Sequence, residues 1–338
     1  MLTTNTLQMI PVDSPQAVAA AQGSRPIVNK KTGQTVIVNG RGMVVNSMLK
    51  RDEWKEFDTA VVAAARNRLQ AINTLRGLGL ERRLGGIGTL ISQWHQASEM
   101  TAANVNMTGQ SNGEQDRVDF KLAGVPVPVI FKDFNIGMRQ LQAGRQNGDQ
   151  IDVSNVSAAT IVVAESLENM LFNGSSVTLN STAIYGLTTH PYRATDTATN
   201  YGGGDWGTAT NVKATVVGMM SAAAGNGFHG PYGLFVANTQ YFQMLVDVSA
   251  TDRTPLQRVQ ELPGISFVQP SDWLADGVVV LVQLTPDVVD VAIAQDLTVL
   301  EWMSGDGMVG NFKAITIAVP RIKAEYGNKA GVVHATGA

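Results

Sequence analysis

Residues 165–174 read Glu165-Ser166-Leu167-Glu168-Asn169-Met170-Leu171-Phe172-Asn173-Gly174, and they close a longer helical pattern. From residue 151 onward, apolar side chains recur every three or four positions, at Val156, Ala159, Val163, Leu167 and the pair Met170/Leu171. This period places them on one stripe of a helix. Ser154 or Asn155 is a suitable N-cap, and Asn173-Gly174 is a typical helix stop. The pattern predicts a long helix over residues 151–174 with one buried face.

Two carboxylates, Glu165 and Glu168, lie one helical step apart near the end of this predicted helix. A pair of acids at this spacing can hold a metal or act as a general acid, but no histidine accompanies it. We therefore predict neither a metal site nor a catalytic site here. We expect both side chains to form ion pairs with arginines of another segment.

The chain before this helix carries two further patterns. Residues 51–76 show the period of an amphipathic helix, which Gly77 and Gly79 end. Residues 89–131 are typical of two strands joined by a polar turn at 109–116. Apolar and charged side chains alternate over 117–122, which predicts a strand with one buried or covered face. The prolines in the following segment, 125–129, confine it to a sheet edge or an extended connection. Because a long two-stranded excursion is only marginally stable alone, we expect it to lie on a neighbouring chain.

The remaining segments complete an α+β pattern. Residues 1–50 are punctuated by proline and glycine and predict an extended arm, and 188–210 predict a long surface loop. Helices are predicted over 212–224 and 238–246. Short strands are predicted at 232–236, 265–268, 278–284, 288–294, 297–302 and 314–319. This order indicates mixed sheets and not a regular βαβ repeat.

Composition excludes several classes of protein. The chain has 338 residues, 44% of them hydrophobic, and no cysteine, which argues against wholesale disorder, disulfides and thiolate chemistry. Its apolar runs are too short for a membrane helix, and the N-terminus lacks the pattern of a secretory signal, so we expect the chain to stay in the compartment where it is made.

Residues 1–83 carry a net charge of +6 against −3 for the whole chain. A basic arm suits an acidic partner or nucleic acid, although a solvated linker would look the same.

No catalytic or cofactor motif is found in the sequence. Nucleophile elbows, zinc-protease, dinucleotide, phosphate-loop and calcium-loop signatures are absent, and the four histidines are scattered singly. We therefore predict that the chain is not an enzyme and has no cofactor or metal. An α+β hydrolase built from His190, Asp196 and a distant serine is kept as the alternative from another class.

The order of these parts resembles the major capsid proteins of tailed phages, and more narrowly the branch of that family that is related to encapsulin shell proteins. The similarity rests on residues 127–134, on the helix ending in Phe172-Asn173-Gly174, on Ile184-Tyr185-Gly186-Leu187, on residues 230–236 with Tyr241 and Leu245, and on the closing run from 296 to 334. It covers about residues 50–338. The resemblance implies the Hong Kong 97-type fold.

This fold implies a division of the chain into seven parts. They are an N-terminal arm (1–50), an N-terminal helix (51–84), an extended β-loop (85–130), a peripheral domain with a long spine helix (131–185), an axial domain (186–290), peripheral-domain strands (291–327) and a C-terminal return to the axial domain (328–338). The implied function is geometric: hexamers and pentamers of the chain form an icosahedral shell around a phage genome. The implied location is the virion capsid, assembled in the cytoplasm of a host bacterium without any membrane contact.

The resemblance also suggests partners and contact residues. Packaged double-stranded DNA would be held by non-specific contact, and scaffolding, portal and decoration proteins are further candidate partners. An encapsulin-type compartment around a cargo enzyme is the alternative. Some capsids of this family are cross-linked between lysine and asparagine; here only Lys121 with Asn311 or Asn328 could be nominated, and we predict no cross-link. From side-chain type, candidate subunit-interface residues are Trp94, Arg117, Asp119, Lys121, Arg139, Arg145, Glu165 and Glu168.

Overall fold

The computed structural model describes residues 25–28, 35–38, 44–45, 49, 51–108, 115–147, 153–180, 182–246, 253–303 and 308–338. Most of the basic arm and most of the polar turn at 109–116 therefore lie outside the described residues. The side chain of Arg145 also lies outside them. None of the described helices is both long enough and apolar enough to cross a membrane.

Helices and strands are mixed along the chain, as the α+β prediction requires. The described helices are α1 (Arg51–Arg68), α2 (Gln70–Gly77), α3 (Met138–Asn147), α4 (Ser154–Asn173), α5 (Ala209–Gly225), α6 (Asn238–Met244) and α7 (Pro255–Gln260). The described strands are β1 (Arg25–Val28), β2 (Thr35–Val38), β3 (Val44–Val45), β4 (Glu81–Arg83), β5 (Ile91–Ala97), β6 (Phe120–Pro126), β7 (Val129–Gly137), β8 (Ser175–Leu179), β9 (Thr182–Ile184), β10 (Ala194–Thr197), β11 (Tyr232–Ala237), β12 (Ile265–Ser271), β13 (Val279–Gln283), β14 (Val289–Met303), β15 (Val309–Ile322) and β16 (Val332–Thr336).

These strands form five sheets. Their orders are β1-β2-β3, β10-β16-β13-β11-β12, β4-β14-β15-β7, β5-β6 and β8-β9. The five-stranded sheet is mixed, because β11 pairs parallel with β12 and antiparallel with β13. The last strand, β16, pairs with β13 and β10, so the chain returns to this sheet at its end.

The chain divides into two compact units. The larger comprises Ala63–Phe131, Thr160–Thr298 and Ile315–Ala338. Its core is the five-stranded sheet, in which all six residues of β11 are buried. Central strands that are buried on both faces are expected to be continuously apolar, and this holds for β11 and for the first four residues of β13. The core of this unit also includes Leu171, Phe172 and Trp206.

The smaller unit comprises the described residues up to Val62, Lys132–Ala159 and Val299–Ala314. An aromatic cluster lies in it. The rings of Phe57 and Phe312 are 5.8 Å apart edge to face, and Phe134 stacks on Phe312 at 5.2 Å. Phe57 and Phe312 are fully buried. Offset and edge-to-face pairs of this kind add to the stabilisation that burial alone provides.

The end of α4 is a close approach of two backbone segments. Gly174 has φ +76°, the left-handed conformation that ends many helices at glycine. The chain then returns, and the Leu187 N–H donates to the Leu171 carbonyl oxygen at 2.9 Å. A Cβ on Gly186 would lie 2.3 Å from the Phe172 carbonyl oxygen. The segments around Gly174 and Gly186, which both carry the family resemblance in the sequence, therefore contact each other directly through their backbones.

Several sequence predictions need correction. The helix predicted over 51–76 is two helices, separated at Leu69, which has ψ 65°. The two strands predicted at 288–294 and 297–302 are one strand, β14. The alternation at 117–122 does not give a covered face within the subunit, because Phe120 and Leu122 are 68% and 54% exposed. Helices α3 and α7 were not predicted.

Replacing Gly186 by alanine tests the backbone contact at the end of α4. We expect Gly186→Ala to lower the free energy of unfolding by roughly 1–3 kcal/mol, because the new methyl group overlaps the Phe172 carbonyl and the backbones must separate. Urea unfolding followed by tryptophan fluorescence measures the change. Gly225→Ala is the control, since no atom lies within 4 Å of a Cβ there. Equal stability of the two variants would contradict the assignment.

Candidate assembly interface

The candidate interface is the hairpin formed by β5, β6 and the described residues between them, 98–108 and 115–119. The strands pair antiparallel from Ile91↔Pro126 to Ala97↔Phe120. Among the described residues the two strands form a sheet of their own, so each has one edge without a hydrogen-bonded strand partner. The prediction of two strands in this region is confirmed, as is the placement of Pro126 in an edge strand.

Large apolar side chains are exposed along the hairpin and the segment before it. Val105 and Met107 have essentially all of their surface in solvent. Monomeric soluble proteins rarely expose many such side chains in one region, and larger apolar surfaces mark sites of protein contact. The exposed members of this set are Ile87, Leu90, Met100, Val105, Met107, Phe120 and Leu122.

The charged residues predicted for this interface lie among these apolar side chains. Arg117, Asp119 and Lys121 are exposed on the second arm of the hairpin, the one that contains β6. Charged and apolar side chains therefore alternate along a segment that is exposed to solvent on both faces in the single subunit. Interfaces commonly have an apolar core and a polar rim, so Phe120 and Leu122 are the candidates for the core and the charged side chains for the rim.

The other predicted interface residues lie in different places. Trp94 is half-buried near the base of the hairpin, where the Arg321 guanidinium lies 5.7 Å from the centre of its ring. Arg139 is exposed on α3. Glu165 pairs with Arg68 of α1 at 3.5 Å, which confirms the expected ion pair with an arginine of another segment. Since both side chains are partly exposed, the pair contributes at most about 1 kcal/mol.

Glu168 corrects the prediction made from its spacing. Its side chain is buried, and its partners are backbone groups and not an arginine: the N–H of Ala71 donates to Oε1 at 2.6 Å and the N–H of Ile72 to Oε2 at 3.4 Å. These are the first free N–H groups of α2, whose preceding residue Leu69 provides no side-chain cap. Because Glu168 is used inside the subunit, we withdraw it from the interface candidates.

The environment of Glu168 also changes its acidity. Burial raises the pKa of its carboxyl to about 7, against the opposing effect of the two backbone hydrogen bonds, and the nearby negative charge of Asp272 adds to the rise. A charged carboxylate loses its hydration in such a site, and two N–H donors do not fully replace it. The group therefore takes up a proton more readily in the folded than in the unfolded chain.

The described residues do not assemble the hydrolase site kept as an alternative. The Tyr192 N–H donates to Nδ1 of His190, while the Asp196 carboxylate accepts from Asn200 and from the Thr197 N–H. Burial lowers the pKa of His190 to about 4, which makes it a poor base near neutral pH. Within the described part of the chain, no group of three or more histidine and acidic side chains is arranged to hold a metal ion.

Sequence reasoning missed a buried charged cluster beside the hairpin. Arg321 is fully buried and forms an ion pair with Asp290. Both residues interrupt apolar strand sequences, Val-Val-Asp-Val and Val-Pro-Arg-Ile. A charge inside an apolar strand is the signal that would have indicated a buried pair.

Asn328, one of the nominated cross-linking residues, lies in a turn with φ 59°. The absence of a cross-link stays a prediction.

The pKa of Glu168 predicts a pH dependence of stability. The pKa of the Glu168 carboxyl is about 7 in the folded chain, whereas an ordinary glutamate has a pKa of 4.5. The folded state therefore binds the proton more tightly than the unfolded chain does. The free energy of unfolding should therefore fall as pH rises from about 4.5 to about 7, by about 3 kcal/mol from this group. We expect Glu168→Gln, which cannot titrate, to flatten the urea-unfolding profile between pH 5 and 8. Glu165→Gln is the matched control one turn away, and superimposable profiles for the two variants would refute the assignment.

Two known shell proteins are similar to this chain in sequence. The chain is 22% identical over 275 residues to the type 1 encapsulin shell protein EncA of Myxococcus xanthus, which covers 81% of this chain and 90% of that protein. It is 26% identical over 222 residues to the diheme-cytochrome-encapsulin shell fusion protein of Kuenenia stuttgartiensis, covering 65% of this chain and 57% of that protein.

Solved structures show the same architecture. The virus-like particle from Pyrococcus furiosus matches with a TM-score of 0.56 at 17% identity, over 83% of this chain and 98% of that chain. The capsid of Myoviridae phage XM1 matches with a TM-score of 0.58 at 13% identity, over 79% and 92% of the two chains. The chain thus has the Hong Kong 97-type fold, as the resemblance predicted. A model of a family of unknown function (DUF6260) matches residues 43–335, and the chain belongs to this family.

Proposed function

We propose that this chain is a structural shell protein whose copies assemble into a closed icosahedral shell, and that it carries no catalytic site. The observation that carries the proposal is the hairpin with its exposed apolar side chains. Phe120 and Leu122 are more than half exposed in the single subunit. A two-stranded hairpin gains little from its own pairing, so a neighbouring copy is the surface that would stabilise it.

A contact of this kind joins two different surfaces. The hairpin of one copy would lie on a different surface of the next, which is a head-to-tail contact. Such contacts form a ring where the rotation between successive copies closes, and the proposed hexamers and pentamers are rings of this kind. The remaining interface candidates are Arg117, Asp119, Lys121, Arg139, Arg145 and Glu165, whereas Trp94 contacts Arg321 within its own subunit.

Within this class, we propose that the shell is a phage capsid that encloses double-stranded DNA. Residues 1–83 carry a net charge of +6, which favours non-specific contact with phosphate groups. The protein would be located in the virion, after assembly in the cytoplasm of a bacterial host. Scaffolding, portal and decoration proteins are further proposed partners.

A protein compartment is the second candidate. The two shell proteins that match in sequence are encapsulins, and one of them is fused to a diheme cytochrome. If this chain encloses a protein and not a genome, the basic arm would contact acidic cargo. The contents of purified particles separate the two candidates: co-purifying DNA favours the capsid, and a co-purifying protein without DNA favours the compartment.

The division into parts implied by the fold is proposed with the function. Residues 1–50 would be the arm, 85–130 the extended loop, 131–185 and 291–327 the peripheral domain with α4 as its spine helix, and 186–290 with 328–338 the axial domain. The strand order supports this, since β16 joins the sheet of β11 and β13.

Size-exclusion chromatography and negative-stain electron microscopy of the purified full chain test the shell proposal. We expect the protein to elute as large particles of regular diameter with closed, rounded outlines. A monomer or small oligomer at every protein and salt concentration tried, or turnover of a substrate that one point substitution abolishes, would contradict the proposal.

A charge on the apolar face of the hairpin tests its role. We expect Phe120→Asp to reduce particle yield at least tenfold, because a carboxylate buried in a subunit contact costs several kcal/mol without a partner. The melting temperature of the unassembled subunit should stay within a few degrees of wild type, since the side chain is 68% exposed there. Phe120→Leu is the matched control and should retain assembly. Normal particle yield from Phe120→Asp would show that the hairpin is not buried on a neighbour.

A further inference from the structure

A buried charged cluster lies beside β5 of the hairpin, within the larger unit. Arg321 of β15 is fully buried and pairs with Asp290 of β14 through two parallel contacts, one from Nε to Oδ1 at 2.6 Å and one from Nη2 to Oδ2. The Lys323 ammonium lies 2.8 Å from the same carboxylate. A bidentate guanidinium–carboxylate pair fixes the plane of the arginine, so its remaining donors point in set directions.

One of these donors reaches the hairpin. The Arg321 Nη1 group donates to Oγ of Ser92 at 2.9 Å, and Ser92 is buried. Two residues further along β5, the Trp94 ring lies with its centre 5.7 Å from the same guanidinium. A cation held over an indole ring is attracted by it, and more strongly where water is excluded. Arg321 therefore contacts two successive side chains on one face of β5.

A third contact continues along the same face. The Gln96 side-chain N–H donates to the carbonyl oxygen of Ala324 at 2.7 Å. Residues 92, 94 and 96 share one face because side chains of a strand alternate, and they span about 13 Å. The chain from Arg321 to Ala324 thus follows β5 from its base to near its end. We call these residues, Ser92, Trp94, Gln96, Arg321 and Ala324, the clamp.

The exposed apolar side chains of β6 lie beside the clamp and just beyond it. Leu122 pairs with His95, level with the clamp, and Phe120 pairs with Ala97, one position beyond Gln96. Further out, the Ser98 N–H donates to the carbonyl oxygen of Asp119, and the Asp119 N–H donates to Oγ of Ser98. The hairpin is therefore held by polar contacts along one face of β5 and carries exposed apolar side chains on β6.

This division has a physical consequence for association. Ordering a loose segment when two proteins bind costs free energy that weakens the complex, and a segment already held in its bound direction avoids that cost. Hydrogen bonds and a bidentate pair define a direction, whereas apolar contacts alone permit sliding. A clamp at the base is suited to hold the hairpin in one direction before a neighbour arrives.

We propose that the clamp preorganises the hairpin for binding to a second copy of the chain, and that Ser92, Trp94, Gln96 and Arg321 are positioning residues of assembly. The inference rests on the proposed function and deepens it. Trp94, which the sequence suggested as a contact to a neighbour, acts in this proposal within its own subunit. The residues that touch the neighbour in this proposal are the exposed apolar ones of β6, Phe120 and Leu122.

Gln96→Ala is the first test, because the side chain is only partly buried and its loss leaves the arginine pair intact. Two quantities are measured on the full chain: the lowest protein concentration at which particles form, by light scattering, and the rate at which trypsin cuts the unassembled subunit after Arg117 or Lys121. We expect the concentration needed for assembly to rise about tenfold, which corresponds to one or two side chains that must be ordered on binding. Cleavage should be several-fold faster, with an unchanged melting temperature.

Gln93→Ala is the matched control, since Gln93 is exposed on the opposite face of the same strand. It should leave the cleavage rate unchanged. Ser92→Ala is a second variant and should act in the same direction as Gln96→Ala. Cleavage at the wild-type rate in both clamp variants would overturn the proposal, as would faster cleavage with an unchanged assembly threshold. If the wild-type chain forms no particles at any concentration, the shell function itself fails, while the cleavage rates still show whether the clamp holds the hairpin.

Discussion

The close approach of backbones at Gly174 and Gly186 is the constraint on which the larger unit depends. The last carbonyl groups of α4 need partners, and the returning segment provides them through the N–H groups of Leu187 and Thr188. This contact is possible only where neither residue has a side chain, because a Cβ at either position would overlap the backbone of the other segment. It fixes the end of the long helix against the chain that leads to the five-stranded sheet, and Leu187 and Phe172 are then buried in one core.

A second constraint joins the long helix to the chain before it. The helical pattern of residues 51–76 is interrupted at Leu69, although leucine is a good helix former and fits the apolar stripe. The buried carboxylate of Glu168 accepts hydrogen bonds from the N–H groups that start α2. A negative group at a helix start is favourable, and it offers these N–H groups an alternative to the carbonyls of α1. The break is therefore a long-range effect of an acid about a hundred residues further along the chain.

The hairpin combines buried charged and polar side chains with exposed apolar ones, which is the reverse of the usual distribution in a folded protein. Strand β5 is held by a buried arginine, a buried aspartate and a buried serine, while β6 exposes Phe120 and Leu122. In a protein that works alone, both features would be costly, since buried charges lose hydration and exposed apolar groups invite association. In the proposed shell subunit both features would serve assembly, since the charges would hold the hairpin in one direction and the apolar groups would provide the surface that the next copy binds.

The fold class and several of the local elements follow from the sequence alone, because they depend on periodicity and on glycine at helix ends. The long helix, its stop at Asn173-Gly174, the two strands of the hairpin and the α+β class are all of this kind. Tertiary structure decided which side chains are buried and with what: the partners of Glu168, the pairing of Arg321 with Asp290, and the exposure of Phe120. These outcomes depend on residues that are distant in sequence, and a pattern that alternates charged and apolar side chains does not reveal whether its covered face lies against the same subunit or against another copy.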